Sequence, residues 1–196
     1  MKKFILSLAL AFSAVFCMNA EDVTFSVKAG VGVSSWMGGD ADYAGARFAY
    51  RVGFGVDIPV HGKFGFQTGL NFEQLGTNVD SPTYVQTHIN QMYLELPLMG
   101  TFRFGAGAGN FVVNAGPYLG VGVGGKSKVE TSLGDISDKT FGDDGMKRFD
   151  MGVGIGINYE ISHFLFGIDT RMGFLHNLKG VKSYNDALFF NFGYRF

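Results

Sequence analysis

The chain has very little cysteine, proline or uninterrupted apolar sequence, and each shortage excludes a class of protein. Its one cysteine, Cys17, lies near the N-terminus, so no internal disulfide can hold the rest of the chain together. Charged residues make up 17% of the chain and the formal net charge is −1, which excludes the basic surface that nucleic-acid binding needs. After residue 20 no apolar run approaches roughly 18 residues, and this excludes a helical membrane protein.

The first 20 residues have the layout of a secretory signal peptide. Lys2 and Lys3 give a positive start, an uncharged apolar run covers 4–16, and Ala20 offers the cleavage site. The run is short for a spanning helix of about 20 residues, so a membrane anchor is the weaker alternative. Cleavage would remove Cys17 and leave 21–196 as one domain of 176 residues (196 minus 20), with 14 basic residues (16 minus 2) and 17 acidic residues.

Glycine and aromatic residues are abundant, with 30 Gly, 21 Phe and 8 Tyr. Glycine at this level disfavours helices. After residue 22 the chain alternates large apolar residues with glycine and charged residues at period two, which is the pattern of β-strands. This alternation predicts an all-β fold of eight strands, at about 23–36, 47–58, 64–75, 88–104, 110–125, 148–161, 164–174 and 187–196.

Alternation alone does not say which face of each strand points inward. A soluble lipocalin-like barrel would enclose the apolar face, but an eight-stranded barrel has room for few large side chains. Glycine weakens a strand and has no purpose on a face that points into water, whereas a crowded barrel interior requires small residues. Aromatic residues also recur near the strand ends, as in the girdles of outer-membrane barrels. We therefore predict an eight-stranded antiparallel up-and-down transmembrane β-barrel, with girdle residues Phe48, Tyr50, Phe64, Phe104, Phe149, Tyr159, Phe174 and Phe196.

The connections between the predicted strands alternate in length. Outer-membrane barrels have short periplasmic turns and longer outside loops, and an even number of strands returns both termini to the periplasm. We therefore expect periplasmic termini and four extracellular loops. The short turns lie near 60–63, 105–109 and 162–163, and the long loops lie near 37–45, 76–87, 126–147 and 177–186.

Four sets of short motifs follow one another along the chain: Tyr-Leu-Glu-Leu-Pro-Leu at 93–98 with Phe-Arg-Phe at 102–104, Gly-Pro-Tyr at 116–118, Arg-Phe-Asp at 148–150, and Gly-Tyr-Arg-Phe at 193–196. Together they resemble the motifs of the PorT-like outer-membrane β-barrel domain family of Bacteroidetes. As an ordered set they are fairly specific, although each is weak alone. The resemblance implies outer-membrane location and a barrel of this kind. It does not imply one activity, although PorT itself is tied to a secretion and gliding apparatus.

Charged residues on the glycine-rich faces are expected to line the lumen. Buried charges must pair, so we interpret them as a salt-bridged plug organised around Glu95; a polar conduit for small solutes is the alternative. Pro97 and Pro117 are expected to mark bulges or kinks. The expected lumenal charges are Lys28, Arg47, Arg51, Arg103, Arg148, Arg171 and Arg195, against Asp57, Glu73, Glu95, Asp150, Glu160 and Asp169.

The sequence gives little support for an enzyme, a metal site or a cofactor. Of the four histidines, His88 and His176 fall near the outer rim, where a rim-located enzyme would place them, but no convincing nucleophile accompanies them. Histidine spacing does not match a metal site, and the period-two glycines do not form a nucleotide loop. We predict no catalytic, cofactor-binding or metal-binding residues.

The expected partners follow from the predicted location. They are outer-membrane lipid and lipopolysaccharide, a protein partner at the extracellular loops, and the barrel-assembly machinery, which would read the last strand ending at Phe196. Trp36 is expected to anchor the first outside loop at the membrane interface. The predicted function is a structural or interaction role at the cell surface, or an accessory role to a secretion apparatus. A narrow pore and a rim-located enzyme are the alternatives.

Overall fold

The fold is described from a computed structural model, which covers residues 23–39, 41, 43–81, 85–131, 134–141, 146–178 and 180–196. The predicted signal peptide at 1–20 lies outside these residues. Among the described residues, no helix is long and apolar enough to span a membrane.

The described residues form eleven antiparallel strands. They are β1 (Thr24–Met37), β2 (Ala44–Gly45), β3 (Arg47–His61), β4 (Phe64–Ser81), β5 (Val85–Ala106), β6 (Gly109–Gly124), β7 (Lys126–Thr131), β8 (Gly134–Lys139), β9 (Phe149–Ile161), β10 (Phe164–Gly173) and β11 (Tyr184–Arg195).

Eight of these strands close into a barrel, as the sequence predicts. The ring runs β1-β3-β4-β5-β6-β9-β10-β11, and pairing of β11 with β1 closes it in a register that joins Ser26 to Arg195. Closure gives each strand of the ring a partner on both sides, so the ladders satisfy most backbone donors and acceptors of the wall without water.

The predicted orientation of the strand faces is confirmed: apolar side chains face outward, and glycine and polar side chains face the lumen. Strand β9 shows it most clearly, since its apolar residues from Phe149 to Ile157 are exposed while the residues between them are buried. The lumen is crowded. A Cβ on Gly156 would lie 2.6 Å from the Cβ of Asp169.

Outward aromatic rings form a belt at the short-turn end. Ring centroids of neighbouring members lie 4.9 to 6.1 Å apart, which is within the range of favourable aromatic pairs. The belt passes through Phe64, Phe102, Phe104, Phe111 and Tyr159. Tyr194 and Phe196, with centroids 5.4 Å apart, add to the aromatic surface at the same end.

The loop end differs in detail from the prediction. Strands β4 and β5 continue to Ser81 and from Val85, so most of the expected loop at 76–87 is a hairpin. The expected loop at 126–147 contains β7 and β8, and β7 pairs with β5. Because a spanning strand needs about 9–11 residues, the 18 residues of β4 and 22 of β5 are more than the membrane requires. A small sheet therefore extends beyond the ring.

The strand prolines do not mark inserted residues. The register of β5 with β6 is the same before and after Pro97 and Pro117, although the pairs beside Pro97 are interrupted. The register shifts lie between Pro59 and His61 on β3 and between Met92 and Tyr93 on β5.

Candidate functional site

The lumen is the first candidate site, and its loop-side half contains an ion cluster around Arg171. The Arg171 guanidinium contacts Glu73 and Glu95 and lies 4.0 Å from Asp150. Arg171 is only 3% exposed, and its guanidinium carbon stands 4.2 Å from the centre of the Tyr118 ring. One cation therefore gathers three carboxylates from three other strands.

Arg51 extends the same cluster. It contacts Asp169 and lies 3.5 Å from Glu73, and its Nε donates a 2.9 Å hydrogen bond to Asn191. Its guanidinium also stands 4.4 Å from the centre of the Phe189 ring. The cluster thus joins strands from opposite sides of the ring across the lumen.

A second ion cluster occupies the short-turn end. Arg103 donates to Glu160 at 3.1 Å and to Asp57 at 3.2 Å, and Arg195 donates to Glu160 at 2.8 Å. These groups are partly open to a mouth of about 490 Å³ that includes Ser162 and His163. At this end the lumen is polar and wide.

Between the two clusters lies a small, partly open cavity of about 70 Å³. Lys28, Asn71, Asn114 and Asn158 are among its polar lining residues, and Met99 narrows it. A polar cavity of this size has room for a few water molecules. Arg51 and Arg171 line it on the loop side.

The loop end of the lumen is filled by an apolar cluster. We call this apolar cluster the plug from here on; it is separate from the salt-bridged charges that the sequence analysis grouped around Glu95. Its members are Trp36, Ala49, Leu75, Ile89, Tyr93, Phe141, Met146, Ala187 and Phe189. Phe141 and Met146, which lie between β8 and β9, both enter the mouth of the barrel. The Phe141 ring takes the space beside Gly122, where a Cβ would lie 2.4 Å from the ring.

Hydrogen bonds hold the plug in one arrangement. Trp36 donates its indole N–H to Gln91 at 3.2 Å, and Gln91 lies 3.2 Å from the Tyr93 hydroxyl and 3.3 Å from the Met146 sulfur. Arg148 donates to the carbonyl of Phe141 at 2.8 Å. The returning segment is therefore bonded to both the wall and the plug.

Three residue placements expected from the sequence are wrong. Arg47 lies on the outer wall, where it donates to Asn78 at 3.0 Å, because β3 separates from β4 at that point. Arg148 is exposed at the loop end, just before β9 begins. Trp36 is 8% exposed and points into the plug, so it does not anchor the loop at the interface.

Of the thirteen charged side chains that the sequence placed in the lumen, five basic and six acidic ones lie there. Glu95 belongs to the loop-side cluster, but Arg171 is the residue that contacts most of its members. The sequence marked Tyr118 only as part of the Gly-Pro-Tyr motif at 116–118, without a role in the lumen, and it did not single out the plug residue Phe141. The inward-facing position of Tyr118 in its strand could have indicated that role.

The rim histidines are not brought together. His88 lies on β5 with its Nδ1 2.8 Å from Asn78 Oδ1. His176 follows β10, which β6 and β9 separate from β5 in the ring, and its Nε2 lies 3.0 Å from the Tyr184 hydroxyl. Within the described part of the chain, no group of three His, Cys, Asp or Glu side chains is placed to hold a metal ion.

Solved outer-membrane barrels share this fold at low sequence identity. Neisserial surface protein A is 11% identical with a TM-score of 0.51, covering 88% of this chain and 97% of its own. The outer membrane enzyme PagL is 12% identical with a TM-score of 0.51, covering 86% and 98%. Ail, the attachment invasion locus protein of Yersinia pestis, is 13% identical with a TM-score of 0.48, covering 89% and 99%.

No curated protein sequence matches the chain at a significant level. A family model does match, over residues 9–179, which is most of the chain. The model describes the outer membrane protein β-barrel domain, and its match agrees with the closed ring, the outward apolar wall and the aromatic belt. The chain belongs to the outer membrane protein β-barrel domain family and is a small outer-membrane barrel.

Proposed function

We propose that the protein is a closed barrel that presents its loop end to a partner at the cell surface and does not conduct solutes. The observation that carries the proposal is the filling of the lumen. The plug occupies one end, and the Arg171 cluster crosses the lumen directly below it. What extends beyond the ring is the sheet of β2, β4, β5, β7 and β8, which is the surface available for contact.

Conductance in planar bilayers tests the closed state. We expect the purified barrel to show no stable open conductance level above leak, because a solute would have to displace the Arg171 cluster as well as the plug. A general diffusion porin inserted in the same bilayers serves as the positive control. A stable open level that changes with substitution of Arg51 would contradict the proposal and favour the narrow pore.

The proposal includes an orientation with periplasmic termini and the loop end outside. Its support is the register, which places Thr24 and Phe196 at the end with the short turns, since Thr24 pairs with Asp57 and Phe196 donates to the carbonyl of Phe25. Short turns are periplasmic in outer-membrane barrels.

We also propose that the chain is PorT-like and serves as an accessory to a secretion apparatus. The motif at 93–98 supports the PorT-like resemblance, because it supplies Tyr93 to the plug and Glu95 to the Arg171 cluster. The accessory role follows from that resemblance alone. A deletion strain complemented with the wild-type gene tests it, with exported proteins measured in the medium. Unchanged export in the deletion strain would make the accessory role wrong and leave the surface-interaction role standing.

The proposal treats the protein as a non-enzyme, although one structural neighbour is an enzyme. It is supported by the separation of His88 from His176 and by their amide and phenol partners. We expect H176A to assemble normally and to keep whatever phenotype the wild type complements. Loss of that phenotype with normal assembly would revive the rim-located enzyme.

We further propose that the barrel-assembly machinery recognises the last strand, β11, through its terminal aromatic residue. Phe196 is 64% exposed on the outer face. Deletion of Phe196 is expected to lower the amount of folded barrel in the membrane. F164A removes an exposed ring from the same end and is the matched control; equal membrane levels of the two variants would contradict the proposal.

A further inference from the structure

A cleft of about 420 Å³ lies on the outer wall of the barrel at the loop end, apart from the lumen. Strands β3, β4, β5 and β7 form its walls. The cleft opens at the point where β3 separates from β4, beside the pairing of β5 with β7. Its lining side chains are Arg47, Phe48, Asn78, His88, Asn90 and Lys128. None of these lining side chains is acidic.

The polar wall of the cleft is arranged around Asn78. Its Oδ1 accepts from Arg47 Nη1 at 3.0 Å and lies 2.8 Å from His88 Nδ1, while its Nδ2 donates to the carbonyl of Ala46 at 3.3 Å. The bond to Ala46 orients the amide so that its oxygen faces the side chains of Arg47 and His88. Arg47 and His88 are thereby held side by side.

The basic side chains of the cleft come from separate strands that the fold brings together. Lys128 on β7 pairs in register with His88 on β5. Arg47 reaches the cleft because Gly76 has no side chain, since a Cβ there would lie 3.0 Å from Arg47 Cδ. A guanidinium gives paired donors to a phosphate, and an ammonium adds a point charge.

The cleft stands at the boundary of the apolar wall. Phe48 is 61% exposed and lines the cleft, and Tyr50 follows it on the same outward face with a ring centroid 6.5 Å away. Exposed aromatic rings at this height are typical of the membrane interface. The cleft therefore joins an anion-binding surface to one that faces hydrocarbon.

We propose that this cleft binds the phosphate of an anionic lipid headgroup in the outer leaflet, with Phe48 against the start of the acyl chains. Arg47 and Lys128 contact the phosphate, and Asn78 and His88 position Arg47. The outer-leaflet assignment rests on the proposed orientation, whereas binding of the lipid itself does not. A free phosphate would use the basic residues alone and leave Phe48 without a role.

Native mass spectrometry of the full chain in nonionic detergent tests the proposal. The barrel is titrated with bis-phosphorylated lipid A and with the same lipid after removal of both phosphates. We expect the phosphorylated lipid to bind at least about tenfold more tightly, and R47Q/K128Q to lose that preference. K147Q, which removes an exposed lysine near the start of β9, is the matched control and should bind as the wild type does.

Two further measurements separate the sources of phosphate. F48S should weaken binding of phosphorylated lipid A, and inorganic phosphate at the lipid's concentration should not displace it. Displacement by inorganic phosphate would overturn the lipid assignment. Equal binding of the two lipids by the wild type, or an unchanged preference in R47Q/K128Q, would overturn the site itself. If lipid binding is absent but the loop end is accessible from outside the cell, the lipid cleft is wrong and the proposed function still stands.

Discussion

At the scale of single residues, the lumen depends on charges that share partners. Glu73 contacts both Arg51 and Arg171, and Glu160 contacts both Arg103 and Arg195. A charge removed from water is costly unless it is paired, so each member depends on its neighbours. Removal of a side chain should therefore lower the free energy of unfolding more when that side chain has more charged partners.

Replacement of Arg171 by methionine is expected to give the largest loss of stability in the lumen. R171M leaves Glu73, Glu95 and Asp150 near one another with only Arg51 to balance them. We expect the free energy of unfolding to fall by about 4 kcal/mol. Urea titration in lipid vesicles measures it, with the fluorescence of the single tryptophan, Trp36, as the signal. A change below about 1 kcal/mol, the range of an exposed ion pair, would show that the cluster does not stabilise the barrel.

Replacement of Glu95 by leucine is expected to cost less. E95L leaves Asn71 without its 3.0 Å acceptor, but Arg171 keeps Glu73 and Asp150. The expected loss is about 2 kcal/mol, measured in the same titration. A loss equal to or above that of R171M would restore Glu95 as the organiser that the sequence suggested.

The alternation of single residues made most of the wall predictable. Within the strands, period two and the need for glycine in a narrow lumen fix which side chain points inward, as in β9. The alternation fails where the strand ends. Arg47 lies where β3 separates from β4, and Arg148 precedes the first paired residue of β9, so parity no longer decides where either side chain points.

At the scale of elements, the longest connection does more than link two strands. It contributes β7 and β8 to the protruding sheet and then returns Phe141 and Met146 to the lumen. The sequence could not predict this return, because it depends on the space beside Gly122 and on Gln91, which lies 55 residues from Trp36 in the sequence. Such contacts join residues that are far apart in the sequence, so a local sequence pattern does not indicate them.

Removal of the returning side chains is expected to open the loop end of the lumen without opening a pore. In F141A/M146A, Trp36 loses plug neighbours while the Arg171 cluster remains in place below. We expect acrylamide quenching of Trp36 fluorescence to rise severalfold and bilayer conductance to stay at leak. I136A is the matched control, since Ile136 is 67% exposed on β8 outside the plug. Unchanged quenching in F141A/M146A would mean that the segment does not cover Trp36 in the membrane.

At the scale of the whole molecule, an even number of strands places both chain ends of the ring on one side. The same closure separates two surfaces of different character, a polar mouth beside the short turns and an apolar plug beside the protruding sheet. Because the two ends differ so much, orientation decides which of them meets the outside. The interaction role and the outer-leaflet assignment of the lipid cleft both depend on that choice.

Orientation is tested by epitope insertion at two matched glycines. Gly62 lies in a short turn with φ +59°, Gly180 lies at the loop end with φ +79°, and a Cβ at either position would meet nothing within 4 Å. Insertions at both sites should therefore be tolerated, which heat-modifiable migration of the folded barrel would check. We expect an antibody to label intact cells carrying the epitope at Gly180 and to reach the epitope at Gly62 only after permeabilisation, because short turns face the periplasm. The reverse labelling, with both variants folded, would place the loop end in the periplasm and remove the surface-interaction role.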